Sequence, residues 1–342
     1  MKTQRITLDD IATLAGVTKM TVSRFLRTPE KVKPATAGRI AAVITEIGYE
    51  AERESPVAPR APRIGVLIPS FYNQIFADVL AGVESVAHTQ GYQTLVVSYD
   101  YDLQREEEQI ATVLALGVKG LILTGTVHTL RAEKYLQAAS VPVAEVMGLG
   151  TAPGRINVGF DNYRAGFEMT RLLLKSGKQH IIYFGAMSDH RDEQRYAGYR
   201  DAMLQAQRPA GRIVPKRISS VSAGNEMMAQ ARQRYPQMDA IFCTNDDLAV
   251  GVLQACHQAG IAVPQTLAIA GFHGLDIGQV TTPGLASVIT PRFEMGKIAT
   301  ERILQQSSGQ PSAAEQVELA FRLTRGQTIS TDAGHPAVAC AG

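Results

Sequence analysis

Cysteine chemistry is almost absent from this sequence. Its three cysteines, Cys243, Cys256 and Cys340, are scattered, form no CxxC pair and are odd in number. That pattern argues against a disulfide framework and a cysteine-based zinc site, and no metal or other cofactor is expected. Also missing is any run of about 18 uninterrupted apolar residues, and the opening MKTQRITLDD has no apolar h-region. Neither membrane insertion nor secretion is therefore expected, and the expected location is cytoplasmic. The signatures G-x-S-x-G, H-E-x-x-H, G-x-x-x-x-G-K and G-x-G-x-x-G are lacking as well, so the usual hydrolase, zinc-protease and nucleotide-binding motifs have no foothold. The chain is expected not to be an enzyme.

What is present is length, with uneven charge. At 342 residues, 45% of them hydrophobic, the chain exceeds one ordinary domain. Residues 1–63 carry 11 Lys and Arg against 7 Asp and Glu, whereas the rest carries 23 against 25. The basic end is the anion-seeking end. Residues 1–49 read as three short helices, 50–63 as a proline-rich linker, 64–330 as alternating strands and helices, and 331–342 as an unstructured tail. In the long region the runs IGVLI at 64, TLVV at 94, GLILT at 120, PVAEV at 142, IIYFG at 181, AIFCT at 240 and LAIAG at 267 alternate with helical patterns, which means βαβ units and parallel sheets. Polar loops follow several of the runs, among them SFYNQ, SYDYD, GAMSD and CTNDD. Ligands of open α/β sheets collect at such carboxyl ends. The pattern restarts near 161, which predicts two similar lobes with a cleft between them: lobe one at about 64–160 and 291–315, lobe two at about 161–290 and 316–330.

The first 49 residues predict a DNA reader. Thr7-Leu8-Asp9-Asp10 fits a helix start with a capping box, Gly16 breaks that helix, and Thr18 caps a second one from Lys19 to about Arg27. A third opens at Pro34 and stops at Gly48. Leu8, Ile11, Ala12, Ala15, Val17, Val22, Phe25 or Leu26, Ile40, Val43, Ile44 and Ile47 are the expected core. A helix, a short turn with Gly and a second helix form a helix-turn-helix. The second helix turns Lys19, Met20, Thr21, Ser23, Arg24 and Arg27 away from that core, near its own N-terminus, where recognition helices meet base edges. Arg24 is the expected guanine contact and Met20 suits a thymine methyl group, while Thr7, Thr18, Thr21, Ser23 and Lys31 suit phosphates.

The stretch TLDDIATLAGVTKMTVSRFLRTPEKV resembles the N-terminal motif of the lactose-repressor/galactose-repressor family of transcription regulators. The resemblance continues through IGVLIPSFYNQIFADVLAGVE, GFDNYRAGFEMT, DEQRYAGYRDAM, FCTNDDLAVG, IAGFHGLDIG and PGLASVITPRFEMG, nearly the whole chain, and looks most like the family's repressors of gluconate and idonate utilisation. It implies a homodimer on a near-palindromic double-stranded operator, a hinge helix in the minor groove, and a periplasmic-binding-protein-like effector domain of two lobes that also dimerises. The chain departs from the family where Glu50-Ala51-Glu52-Arg53 follows Tyr49, and where Pro56, Pro59 and Pro62 replace the leucine-bearing hinge. Interior prolines cost a helix about 3 kcal/mol each. An extended spacer is expected there instead, with less minor-groove insertion.

By the same resemblance, effector contacts fall on Ser70, Phe71, Asn73, Phe76, Arg195, Asn245, Asp246 and the position of His273. The residue types agree with a polyhydroxylated ligand: Ser70, Asn73, Asn245 and Asp246 supply directional donors and acceptors, and Phe71 and Phe76 supply apolar faces. Sugar-binding members carry two Asp where this chain has His273 and Gly274. An imidazole can attract a carboxylate that an acid would repel, and Arg195 can hold a carboxylate by a bidentate pair. The expected effector is gluconate, idonate or a close six-carbon sugar acid. Charging of His273 would weaken binding as pH rises through neutrality. Glu145 and Asp161 read equally as cleft or structural residues. The alternatives are a regulator answering to a neutral sugar or sugar phosphate, and a cytoplasmic sugar-binding protein without regulation.

Overall fold

The structure, a computed structural model, describes residues 7–47, 61–187, 189–309, 316–329 and 338–339. Two units divide the chain, residues 1–60 and 61–342. The expectations for the hinge at 50–60 and for Gly48 as a helix stop lie outside the described residues.

The described residues of the first unit form three α-helices, α1 (Leu8–Ala15), α2 (Lys19–Arg27) and α3 (Pro34–Glu46). Thr7 closes a capping box, its backbone N–H donating to Asp10 Oδ2 at 2.7 Å while its hydroxyl accepts from the Asp10 N–H. Gly16 then ends α1 at φ +63°, a left-handed position that favours glycine, and Thr18 caps α2. Ile11, Ala12, Ala15, Val22 and Ile40 form the buried centre, with Leu8, Val17, Phe25, Leu26, Val43, Ile44 and Ile47 around it.

The second unit has two lobes, each a sheet flanked by helices. Lobe one holds β1 (Arg63–Ile68), β2 (Gln93–Ser98), β3 (Gly120–Leu123), β4 (Val143–Val146) and β5 (Ile156–Gly159), with α4 (Ile75–Ala87), α5 (Leu103–Ala115) and α6 (Leu130–Ala138). Lobe two holds α7 (Asn162–Lys175), β6 (Ile181–Phe184), α8 (His190–Gln205), β7 (Gly211–Ile213), α9 (Val221–Arg234), β8 (Ala240–Cys243), α10 (Asp246–Gln258), β9 (Ala268–His273), α11 (Asp276–Gln279) and β10 (Ala286–Ile289). The chain then returns through α12 (Arg292–Ser307), which packs on α4 of lobe one, to β11 (Gln316–Glu318), and ends in lobe two with β12 (Arg322–Thr324) and β13 (Val338–Ala339). The strand orders are β11-β5-β4-β3-β1-β2 and β13-β12-β10-β9-β8-β6-β7. All pairs in the first sheet are parallel, and in the second the two pairs made by β12, with β10 and β13, are antiparallel and the rest parallel.

Three expectations need correction. Residues 316–318, assigned to lobe two, pair with β5 of lobe one in the register Val317 to Val158; the backbone ladder of an exposed sheet edge captures this short segment. Arg63 is the first residue of β1, paired with Gln93, rather than the last of a linker. Within the tail read as unstructured, Val338 pairs with Leu323.

The packing of α7 on α8 sets the position of Arg195. A Cβ on Gly166 would lie 2.3 Å from the Arg195 carbonyl oxygen, and one on Gly198 would lie 2.0 Å from that of Tyr163, so the backbones meet without side chains between them. Gly166→Ala must push α8 away, at a cost of about 1–3 kcal/mol for overpacking. We expect a lower melting temperature together with weaker ligand binding, because Arg195 moves with its helix; unchanged melting and binding would contradict this packing.

Candidate functional site

Exposed on the first unit are Thr7, Thr18, Lys19, Met20, Arg24, Arg27 and Lys31, with Thr21 and Ser23 half-buried. Met20 is 72% exposed, an uneconomical place for a large apolar side chain unless something covers it. Thr18 Oγ1 lies 2.9 Å from Thr21 Oγ1, and Arg27 Nη2 donates to Ser23 Oγ at 2.6 Å. Lys19 pairs with Asp9 at 2.6 Å, both side chains more than half exposed. Such a pair contributes little, so the Lys19 ammonium can leave it for a phosphate at small cost.

The second unit has a cavity of about 110 Å³ where loops of both lobes meet at strand ends, with Asn73, Tyr101, Asp189, Arg195, Asn245 and His273 in its wall. Asn73 is fixed by donating to the Tyr101 hydroxyl at 3.1 Å. Asn245 uses its carbonyl to cap α10, accepting from the Leu248 N–H at 2.9 Å, so its amide N–H groups are what it has left for a ligand. Arg195 is buried, 4% exposed. Its Nε donates to Asn162 Oδ1 at 2.8 Å, and its Nη1 to the Thr244 carbonyl at 2.9 Å and hydroxyl at 3.2 Å. Its guanidinium carbon lies 4.0 Å from the Phe272 ring centre. Every one of these partners is neutral.

His273 ends β9 at φ +98°, a left-handed backbone that is strained for any residue with a Cβ. Its Nδ1 meets Thr290 Oγ1 at 3.1 Å, whereas Nε2 is buried without a hydrogen-bond partner. Ser219 Oγ, also in the wall, is buried and unpartnered too. Burial first, then the charges of Arg195, Arg292 and Arg191, hold the imidazole well below its ordinary pKa. Here the expectation of a titrating His273 is corrected: the ring is neutral around pH 7, and weakening of binding through neutrality does not follow from it. Its Nε2 is available as a neutral hydrogen-bonding group.

Four expected contacts lie outside this wall. Ser70 is buried with its hydroxyl accepting from the Tyr72 N–H at 3.1 Å, Phe71 is 65% exposed, and Phe76 belongs to the lobe-one core. Asp246 is fully buried and ties the loop after β9 to α10, accepting from the Leu275 N–H at 2.5 Å and the Ser287 hydroxyl at 2.7 Å. Burial pushes its carboxyl up to about 7 against those two hydrogen bonds. Conversely, Asp100, Tyr101 and Asp189 of the wall come from SYDYD and GAMSD, loops marked by their position after strands but not singled out residue by residue. Nothing in the local sequence marks Ser219.

Glu145 and Asp161 take structural places. Asp161 caps α7, accepting from the Arg164 N–H at 2.9 Å. Glu145 sits in a buried lobe-one cluster with Arg155 at 2.5 Å and His128 at 3.5 Å, and His128 also meets Glu106 at 2.8 Å. Burial alone would lower His128, but the two carboxylates outweigh it and push the imidazole up to about 9. A folded pKa above the unfolded one means stability fully present below about pH 6.5 and lost as pH rises through about 9, on the order of 3 kcal/mol at most. Melting curves should therefore fall between pH 6.5 and 9.5, and His128→Gln should flatten that fall; an identical slope in the variant would contradict the assignment.

Among the described residues no helix is long and apolar enough to cross a membrane, and no group of His, Cys, Asp and Glu could hold a metal ion. Residues 7–52 match the family description "Bacterial regulatory proteins, lacI family", and residues 170–329 match "Periplasmic binding protein-like domain". The HTH-type transcriptional regulator IdnR of Escherichia coli K12 is 44% identical over 332 residues, 96% of this chain and 100% of that protein. The HTH-type transcriptional regulator GntR of the same strain is 46% identical over 331 residues, again 96% and 100%. The crystal structure of transcription regulator GntR from Chromobacterium violaceum is similar at a TM-score of 0.76 and 37% identity, covering 78% of this chain and 99% of that one.

Proposed function

Because the chain belongs to the lacI family of bacterial regulatory proteins and is a transcriptional regulator rather than an enzyme, we propose that it represses sugar-acid catabolism and leaves its operator when a six-carbon aldonate, gluconate or idonate, enters the cleft. DNA binding by the helix-turn-helix and effector binding by the periplasmic-binding-protein-like region are properties of the family. The aldonate is the step we add.

One observation carries it. Arg195 is buried, yet none of the ion pairs among the described residues includes it, and its hydrogen-bond partners are an amide, a carbonyl and a hydroxyl. A buried cation without a directly paired counter-ion is costly, and a ligand carboxylate relieves that cost by a charge-assisted bond. Asn73, Asn245, Ser219 and neutral His273 then suit the hydroxyls of the carbon chain. The mechanism is linkage: an effector that prefers one arrangement of the lobes and DNA that prefers another are coupled by about 1–3 kcal/mol, a 5- to 150-fold change in operator affinity. The acting species is a cytoplasmic homodimer, since helix-turn-helix readers place two recognition helices on half-sites one helical turn apart.

Calorimetric titration of the full chain tests the ligand class. D-gluconate should bind more tightly than D-glucose, by about 10-fold or more for one charge-assisted pair. Tighter binding of glucose would overturn the aldonate reading.

A further inference from the structure

Behind the cavity wall, paired with the wall residue Asp189, lies a second buried arginine that the family resemblance does not assign. Arg191, the second residue of α8, is buried at 6% exposure. Its Nε and Nη2 donate to the two oxygens of Asp189, each at 2.9 Å, in a bidentate pair. Its Nη1 crosses to lobe one, donating at 2.9 Å to the Thr124 carbonyl just beyond β3, and its guanidinium carbon stands 5.7 Å from the ring centre of Phe76 on α4. Asp189 caps α8 and forms part of the cavity wall.

The acids around the cavity each have direct partners other than Arg195. Asp100 at the wall pairs with Arg105, Asp192 with Arg212 at 2.5 Å, and Asp246 is taken up by a backbone N–H and a hydroxyl. Asp189 is cancelled by Arg191. Arg195, one helical turn along α8, is left with neutral hydrogen-bond partners only, Asp189 and Asp192 acting on it through space rather than as direct partners.

Resting on the aldonate reading, we propose that Arg191 is a specificity-determining residue of the cleft: held in place by Thr124 and paired with Asp189, it hides one carboxylate, so that the cleft accepts a monoanionic polyol. Without Arg191, the Asp189 carboxylate faces the effector's own carboxylate in a site of low dielectric, where like charges repel strongly. With Asp189 in place, a second carboxylate on the ligand finds Arg191 already paired rather than a free cation, which disfavours a dianion.

Titrations of full-length protein with D-gluconate, D-glucose and D-glucarate, on wild type, Arg191→Gln, Asp189→Asn and the double variant, test this. Arg191→Gln should weaken gluconate binding by about 100-fold, since the bared Asp189 carboxylate repels that of the ligand, while changing glucose binding by less than about 5-fold. The double variant should recover gluconate binding to within about 10-fold of wild type, because the repelling charge is gone. Asp189→Asn should raise glucarate affinity relative to gluconate by about 10-fold. If Arg191→Gln weakens gluconate and glucose alike, or the double variant is no better than Arg191→Gln, Arg191 is only a structural strap and the proposal falls. If wild type binds glucose but not gluconate, the aldonate reading itself fails and the proposed selectivity falls with it.

Discussion

Arg195→Ala should yield a protein that holds its operator as firmly as wild type but no longer releases it. The substitution removes a buried cation of the cleft whose hydrogen-bond partners are neutral, and it lies outside the DNA-reading unit. Truncating one member of a buried charge pair costs about 2–5 kcal/mol, so effector affinity should fall at least about 30-fold. Retardation of operator DNA would then persist at gluconate concentrations that free the wild-type protein. Because Arg195 also holds Asn162 and Thr244, loosened wall residues add to the loss. Arg195→Lys separates the two causes: it keeps the charge but not the fork, and should bind gluconate more tightly than the alanine variant. Equal release of wild type and Arg195→Ala by gluconate would contradict the role given to this residue.

The second large effect belongs to the recognition helix. Replacing Lys19 and Arg24 together by alanine should reduce the ratio of operator to random-DNA affinity by about 10- to 100-fold, since one bidentate base contact discriminates by about 1–3 kcal/mol. The dependence of log affinity on log salt should also become shallower by about 1 as one phosphate contact is lost. Neither side chain supports the core of the unit: both are exposed, and the only ion pair of Lys19 among the described residues is the exposed one with Asp9. Folding and gluconate binding should therefore be retained. Anisotropy titrations with operator and scrambled duplexes measure both quantities, and an unchanged affinity ratio would contradict base reading by α2.

The legible parts of this protein are those decided locally. The capping box at Thr7, the left-handed Gly16 and the Thr18 cap are short-range hydrogen-bond devices, and the described helices of the first unit obey them. The strands of the two lobes are visible as apolar runs because parallel strands are covered on both faces. Gln316–Glu318 could not be assigned to its lobe in the same way, since three residues carry no periodicity and their pairing is settled by which sheet edge lies open. Asp246 is misleading for a related reason: a carboxylate in a strand-end loop looks the same in sequence whether it faces a ligand or, as here, Leu275 and Ser287. The charge state of His273 depends first on its burial and then on Arg195, Arg292 and Arg191, of which Arg195 and Arg191 are distant along the chain and are brought near it only by the fold. Arg191 stays hidden because a charged residue in the first turn of a helix usually faces water.

If the proposed effector is right, an aldonate in the cleft weakens the grip of the basic head on its operator. Operator affinity of the full-length wild-type protein, measured at fixed salt with and without saturating D-gluconate, tests it most directly. The account predicts a loss of about 5- to 150-fold with gluconate, absent with D-glucose and absent in Arg195→Ala. An operator affinity that gluconate leaves unchanged or strengthens would contradict it.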